Sequence, residues 1–202
     1  DENWERYRER DEDVFFNRAT QGLYPPGSVF KIITASVLLN LKHEAAQEPL
    51  NLEHELNIDG FRIRDLKFRP TLSLKEAIAY SSNLFFIKHF LDFSWTQIEE
   101  EINKRFLLTE DFSSPELPIA QAQLGNVLDP VDKAFSIIGQ GEVLVTPLHM
   151  AIWSGAIANR GLLMQPQIIN KIENGQGEII KKQQPLVLGR ACSEKEAQII
   201  LE

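Results

Sequence analysis

The segment after Lys31, Ile-Ile-Thr-Ala-Ser-Val-Leu-Leu, is apolar on every side of a helical projection, which predicts a helix over 28–41 buried all round. Elsewhere the apolar positions fall on one face. Trp95, Ile98, Ile102 and Phe106 recur at helical spacing behind Ser94 and Gln97, whose spacing is that of a capping box. A second box, Ser73 with Glu76, opens a helix ending near Ala79, and an apolar helix follows over 84–91. Further helices are expected near 131–138 and 147–159, the latter stopped by Gly161. Ser193 and Glu196 start one more.

Strand signals are few. Short strands are expected around 56–63 within a loop-rich excursion over 43–70. Asn174-Gly-Gln-Gly177, between 164–172 and 178–180, reads as the loop of a β-hairpin. Residues 107–129 should be irregular, with Pro115, Pro118 and Pro130 as breakers. The pattern as a whole predicts a mainly α fold with a small antiparallel β hairpin. One domain over 1–202 is expected: a polar lead-in (1–20, with its charged opening a solvated helix face or frayed terminus), a helical core (21–160), then the hairpin and a terminal helix (161–202).

Composition removes several function classes. With 202 residues, 43% of them hydrophobic, the chain can build one sizeable core. A net charge of −8 argues against a nucleic-acid partner, which needs clustered Lys and Arg. The longest apolar run, 32–39, is far short of the roughly 20 residues that span a bilayer. Cys192 is the single cysteine, so no internal disulfide can form, and a buried free thiol is the expected state. His43, His54, His89 and His149 lack metal-ligand spacing, and Asn174-Gly-Gln-Gly177 is too short for a phosphate loop; no metal and no cofactor are expected.

The candidate chemistry lies at Ser28-Val-Phe-Lys31, directly after Tyr24-Pro-Pro-Gly27. Residues three apart on a helix share a face, with Cβ atoms about 5–6 Å apart, so the Lys31 amine can take a proton from the Ser28 hydroxyl. The turn before it places Ser28 at a helix start, where free N–H groups favour developing negative charge. Ser-x-x-Lys is common, and its ordinary meaning is an exposed lysine one turn from a serine. Here the lysine begins a buried helix, and burial lowers an amine's pKa toward the range a general base needs. Ser81-Ser82-Asn83 falls between two predicted helices; it reads as a cap for the second, a role compatible with chemistry.

Three stretches, Asn17 to Lys31, Leu74 to Asn83, and Ile138-Gly-Gln-Gly-Glu-Val-Leu-Val-Thr-Pro-Leu-His-Met-Ala151, together resemble the transpeptidase domain of penicillin-binding proteins. The resemblance implies the helical part of an α+β, β-lactamase-like fold. It implies Ser28 as nucleophile, Lys31 as base, Ser81 as proton relay, and Asn83 as a ligand of the substrate amide. The substrate would be a peptidoglycan stem peptide ending in D-Ala-D-Ala, with β-lactam antibiotics as mimics. A membrane anchor outside these residues, a place on the outer face of the bacterial cell membrane, and cell-wall synthesis partners follow from the same likeness.

The family's Lys-Thr-Gly is absent from these residues. Because the last predicted helix has no stop signal, the expectation is that the motif lies beyond it on a strand, as does one oxyanion-hole donor. Helices lacking that sheet, the Ser28 helix above all, would then expose apolar faces and favour self-association. Glu53-His-Glu-Leu-Asn57 matches a β-lactamase element that positions hydrolytic water, but it precedes Ser81 where that family has it after, so Glu53 is expected to be ordinary surface. A D,D-carboxypeptidase, a catalytically silent binding domain and a β-lactam sensor or hydrolase remain the other readings.

Overall fold

A computed structural model of the chain describes residues 2–8, 14–114 and 116–202. Part of the expected lead-in (Asp1 and 9–13) and the expected breaker Pro115 lie outside the described residues. Helix α1 (Glu2–Arg8) keeps Trp4 and Tyr7 exposed, as a solvated lead-in would. The predicted central helix has a different start from the one expected. Gly27–Phe30 forms a 3-10 turn, and the α-helix proper, α2, is Lys31–Leu41. Ser28 and Lys31 therefore face each other across a turn of three residues, in which i and i+3 eclipse.

Around α2 lie α3 (Leu74–Ala79), α4 (Asn83–Phe90), α5 (Trp95–Phe106), α6 (Pro130–Ile137), α7 (Pro147–Ala158) and α8 (Glu194–Leu201). All of these except α6 pack closely on α2, directly burying Ile33, Ala35, Val37, Leu38 and Leu39. The expectation that this helix would present bare apolar faces is thus corrected: its cover comes from neighbouring helices of the same chain. Both predicted boxes ahead of α3 and α5 form, as does the one ahead of α8, each with the N-cap hydroxyl accepting from the third helical N–H and the third side chain reaching back. In α5 the predicted stripe buries Ile98, Ile102 and Phe106.

The strands make four antiparallel pairs and no larger sheet among the described residues. β1 (Leu50–Asn51) pairs with β4 (Thr71–Leu72), and β2 (Leu56–Ile58) with β3 (Phe61–Ile63) through the tight Asp59-Gly60 turn. The hairpin expected over 164–180 is longer and broken. Its base joins β5 (Leu162–Met164) to β8 (Val187–Arg190), and its tip joins β6 (Lys171–Glu173) to β7 (Ile179–Lys182). Pro166 and Pro185 lie between base and tip, and neither can donate to a ladder, so pairing lapses there. The base roots in the core through Leu163, while Ile172, Ile179 and Ile180 on the tip are exposed.

Candidate active site

Lys31, first residue of α2, is 2% exposed, and above it the Ser28 side of the turn is open to solvent. Its Nζ lies 3.1 Å from Ser28 Oγ, 3.0 Å from Ser81 Oγ, 2.7 Å from the Ser81 carbonyl oxygen and 2.6 Å from Asn83 Oδ1. All four residues singled out in the sequence therefore meet at one nitrogen. Burial pushes the Lys31 pKa down to about 8, partly opposed by the negative charge of Asp65.

An ammonium can donate to three of these four oxygens, and the form that can take up a proton is the neutral amine. Such a group has two N–H bonds and one lone pair. The Ser81 carbonyl and the Asn83 amide oxygen can only accept, so they take the two N–H bonds. What remains for the lone pair is a hydroxyl, that of Ser28 or Ser81. An exposed hydroxyl hydrogen-bonded to a buried, weakened base is the arrangement of an activated nucleophile.

Ser81 reaches Lys31 because of how α3 ends. Ser81 N–H donates to the Ile78 carbonyl (3.1 Å) and Ser82 N–H to the Ala77 carbonyl (2.9 Å), the paired bonds of a Schellman turn. Its left-handed position is held by Ser81 itself, at φ 55, where glycine is the usual occupant. A side chain is thus kept at a place that disfavours one, as happens where function requires the side chain. Ser81→Gly and Ser81→Ala both remove the hydroxyl, but only Ala keeps the left-handed penalty. Thermal unfolding should find Ser81→Gly the more stable of the two by about 1 kcal/mol.

The Ser82 side chain serves α4: its hydroxyl accepts from Phe85 N–H (3.0 Å) and donates to Asp65 Oδ2 (2.6 Å). The capping role read from Ser-Ser-Asn and the site geometry thus coexist in adjacent residues. Asp65 Oδ1 also accepts from Asn83 N–H at 2.6 Å and Leu84 N–H at 3.0 Å. Sequence reading missed Asp65, because it lies in the loop-rich excursion and caps a helix from 18 residues away, a distance at which no capping pattern operates.

The third sequence stretch backs the Ser28 turn from behind. Gly27 N–H donates to the Gly139 carbonyl (2.7 Å), and Tyr24 and Val145 exchange backbone hydrogen bonds of 2.9 and 3.0 Å. A Cβ on Gly139, at φ 72, would stand 2.4 Å from the Gly27 carbonyl oxygen, so only glycine lets the two turns approach this closely.

The other candidates stay out of the chemistry. His149 closes a capping box with Thr146, its Nδ1 2.8 Å from the threonine hydroxyl, and burial pushes its pKa down to about 4. Glu53 is surface, 3.9 Å from Lys88. Cys192 is buried, and its thiol is pushed up in pKa by that burial, away from the reactive thiolate.

The family model of the penicillin binding protein transpeptidase domain matches residues 2–202, and the chain belongs to that family. A peptidoglycan D,D-transpeptidase, PbpA of Mycolicibacterium smegmatis, is 29% identical over 206 residues, covering 98% of this chain and 42% of that protein. The PbpA of Mycobacterium tuberculosis is 27% identical, covering 84% of this chain and 36% of its own length. Among solved structures, penicillin-binding protein A of M. tuberculosis as its imipenem acyl-enzyme complex superposes with a TM-score of 0.86 at 25% identity, over 98% of this chain and 47% of that one. The chain spans less than half the length of these relatives. The relatives are bacterial penicillin-binding proteins; among the described residues no helix is long and apolar enough to cross a membrane.

Proposed function

We propose that these residues carry the nucleophile and base of a peptidoglycan D,D-transpeptidase, and that the same serine is acylated by β-lactams. In this reading Ser28 Oγ attacks the carbonyl between the last two D-alanines of a stem peptide while Lys31 takes its proton. Ser81 passes a proton to the departing D-Ala amine, and the Asn83 amide binds the peptide backbone. An amine from a second stem peptide then attacks the ester, closing the cross-link and freeing Ser28. The Ser28 N–H serves as one donor to the tetrahedral oxyanion, and the other comes from a strand beyond these residues. The whole protein would act on the outer face of the bacterial cell membrane, where its substrate lies.

The observation that carries this reading is the buried Lys31 amine, 3.1 Å from the Ser28 hydroxyl, with its pKa lowered to about 8. The names of the bacterial relatives, and the acyl-enzyme complex formed by one of them with imipenem, support it. The test is to incubate the full-length protein with benzylpenicillin, digest it, and locate the added mass. The expected adduct lies on the peptide containing Ser28. An adduct on another residue, or no adduct at saturating drug, refutes the proposal.

A further inference from the structure

The three oxygens that grip Lys31 besides Ser28 Oγ all come from Ser81 and Asn83, on the short link that runs from α3 into the first residue of α4. That loop is under backbone strain at Ser81, so something must hold it in place. On the α3 side it is fixed by the helix's own terminal carbonyls. On the α4 side the hold comes from outside both helices. One carboxylate, Asp65, binds the Ser82 hydroxyl with one oxygen and the Asn83 and Leu84 amides with the other. Asp65 follows β3 by two residues, and that hairpin also leans on α6, with Phe61 edge-on to Phe135 at 5.7 Å. Its carboxylate is half-buried and sits at the positive end of α4, where charge-assisted bonds are short and strong.

We infer that Asp65 is a positioning residue of the acyl-transfer site, clamping the start of α4 so that Ser81 and Asn83 hold the Lys31 amine against Ser28. The inference rests on the reading of Ser28 and Lys31 as nucleophile and base. Asp65 touches neither residue. Its influence runs through the loop and through its charge, which keeps the Lys31 amine more basic than burial alone would leave it.

Those two influences separate in two variants. Asp65→Asn keeps an oxygen able to accept from Asn83 and Leu84 but removes the charge. Asp65→Ala removes the clamp as well. The measurement is the rate of acylation of the full-length protein by a fluorescent penicillin across pH, with the adduct mapped on each variant. For Asp65→Asn the acid limb should move below that of the unsubstituted protein, while the high-pH plateau stays within about ten-fold of it. For Asp65→Ala the plateau should fall on the order of 10²-fold, the cost of misplacing a reacting group by about 1 Å. A carboxylate that merely caps α4 would lower thermal stability in both variants and leave both the acid limb and the plateau where they were, and that result overturns the inference. If Asp65→Ala does not fold, the limb of Asp65→Asn decides alone. Failure of the unsubstituted protein to form an adduct at Ser28 would overturn the functional reading first, and this inference with it; an adduct at Ser28 with unmoved limbs and unchanged plateaus overturns only the role of Asp65.

Discussion

Lys31→Ala in the full-length protein is expected to slow acylation of Ser28 by about 10²–10⁴-fold, the usual contribution of a positioned general base. On the proposed reading the unsubstituted protein should show a rate that climbs as pH rises through about 8 and then levels, because the unprotonated amine would be the reactive form. In the variant that limb should vanish, since among the described residues Lys31 is the titratable group hydrogen-bonded to the Ser28 hydroxyl. Lys31→Arg should not rescue the rate: a guanidinium stays protonated and has no lone pair to offer. Removing the amine also leaves the Ser81 carbonyl and Asn83 amide oxygen short of a donor, at a cost of about 1–3 kcal/mol. Melting curves run beside the kinetics separate the two effects. A rate within a few-fold of the unsubstituted protein, with its pH limb intact, would remove Lys31 from the mechanism.

The largest effect on stability should come from Arg105→Ala. Arg105 is in the last turn of α5 and donates through Nε to the Ala191 carbonyl at 2.7 Å and through Nη2 to Glu196 Oε2 at 2.8 Å. Both side chains are shielded, 9% and 14% exposed, and Glu196 also accepts from Ser193 N–H at 2.7 Å in the box that starts α8. The hydrogen bonds and the guanidinium hold the Glu196 carboxyl below its ordinary pKa although burial pulls the other way. Without Arg105 a buried carboxylate is stranded. Breaking one partner of such a pair costs about 3–5 kcal/mol, which for a chain of this size lowers the melting temperature by about 10 °C. Replacing both residues, Arg105→Leu with Glu196→Leu, should recover much of the loss, and a double variant as unstable as the single one would show that the lost bonds to Ala191 and to the start of α8, not the stranded charge, set the cost.

Which features were legible from sequence follows from the range of the forces involved. The capping boxes at Ser73, Ser94 and Ser193 are contacts of three residues, and each forms as read. The buried helix was readable because an unbroken apolar surface leaves no other stable place for it. Ser28, Lys31, Ser81 and Asn83 were found by spacing and by family likeness, and their meeting at one nitrogen is a tertiary fact. Asp65, Arg105 and the Gly27 to Gly139 bond were hidden because each acts across tens of residues or through backbone alone. The break in the long hairpin could have been anticipated from Pro166 and Pro185, which mark where two facing strands both lose a donor.

Ser28 and Lys31 are neighbours in the chain, yet the oxygens that steady the amine arrive from 50 and 52 residues away. Contacts of that separation form late, after long loops have closed. On the proposed reading, a chain in which those contacts have not formed holds an ordinary hydrated ammonium and an ordinary alcohol, with no activated serine for an acyl donor to consume. On that reading, a β-lactam that reacts at Ser28 is expected to label folded molecules only.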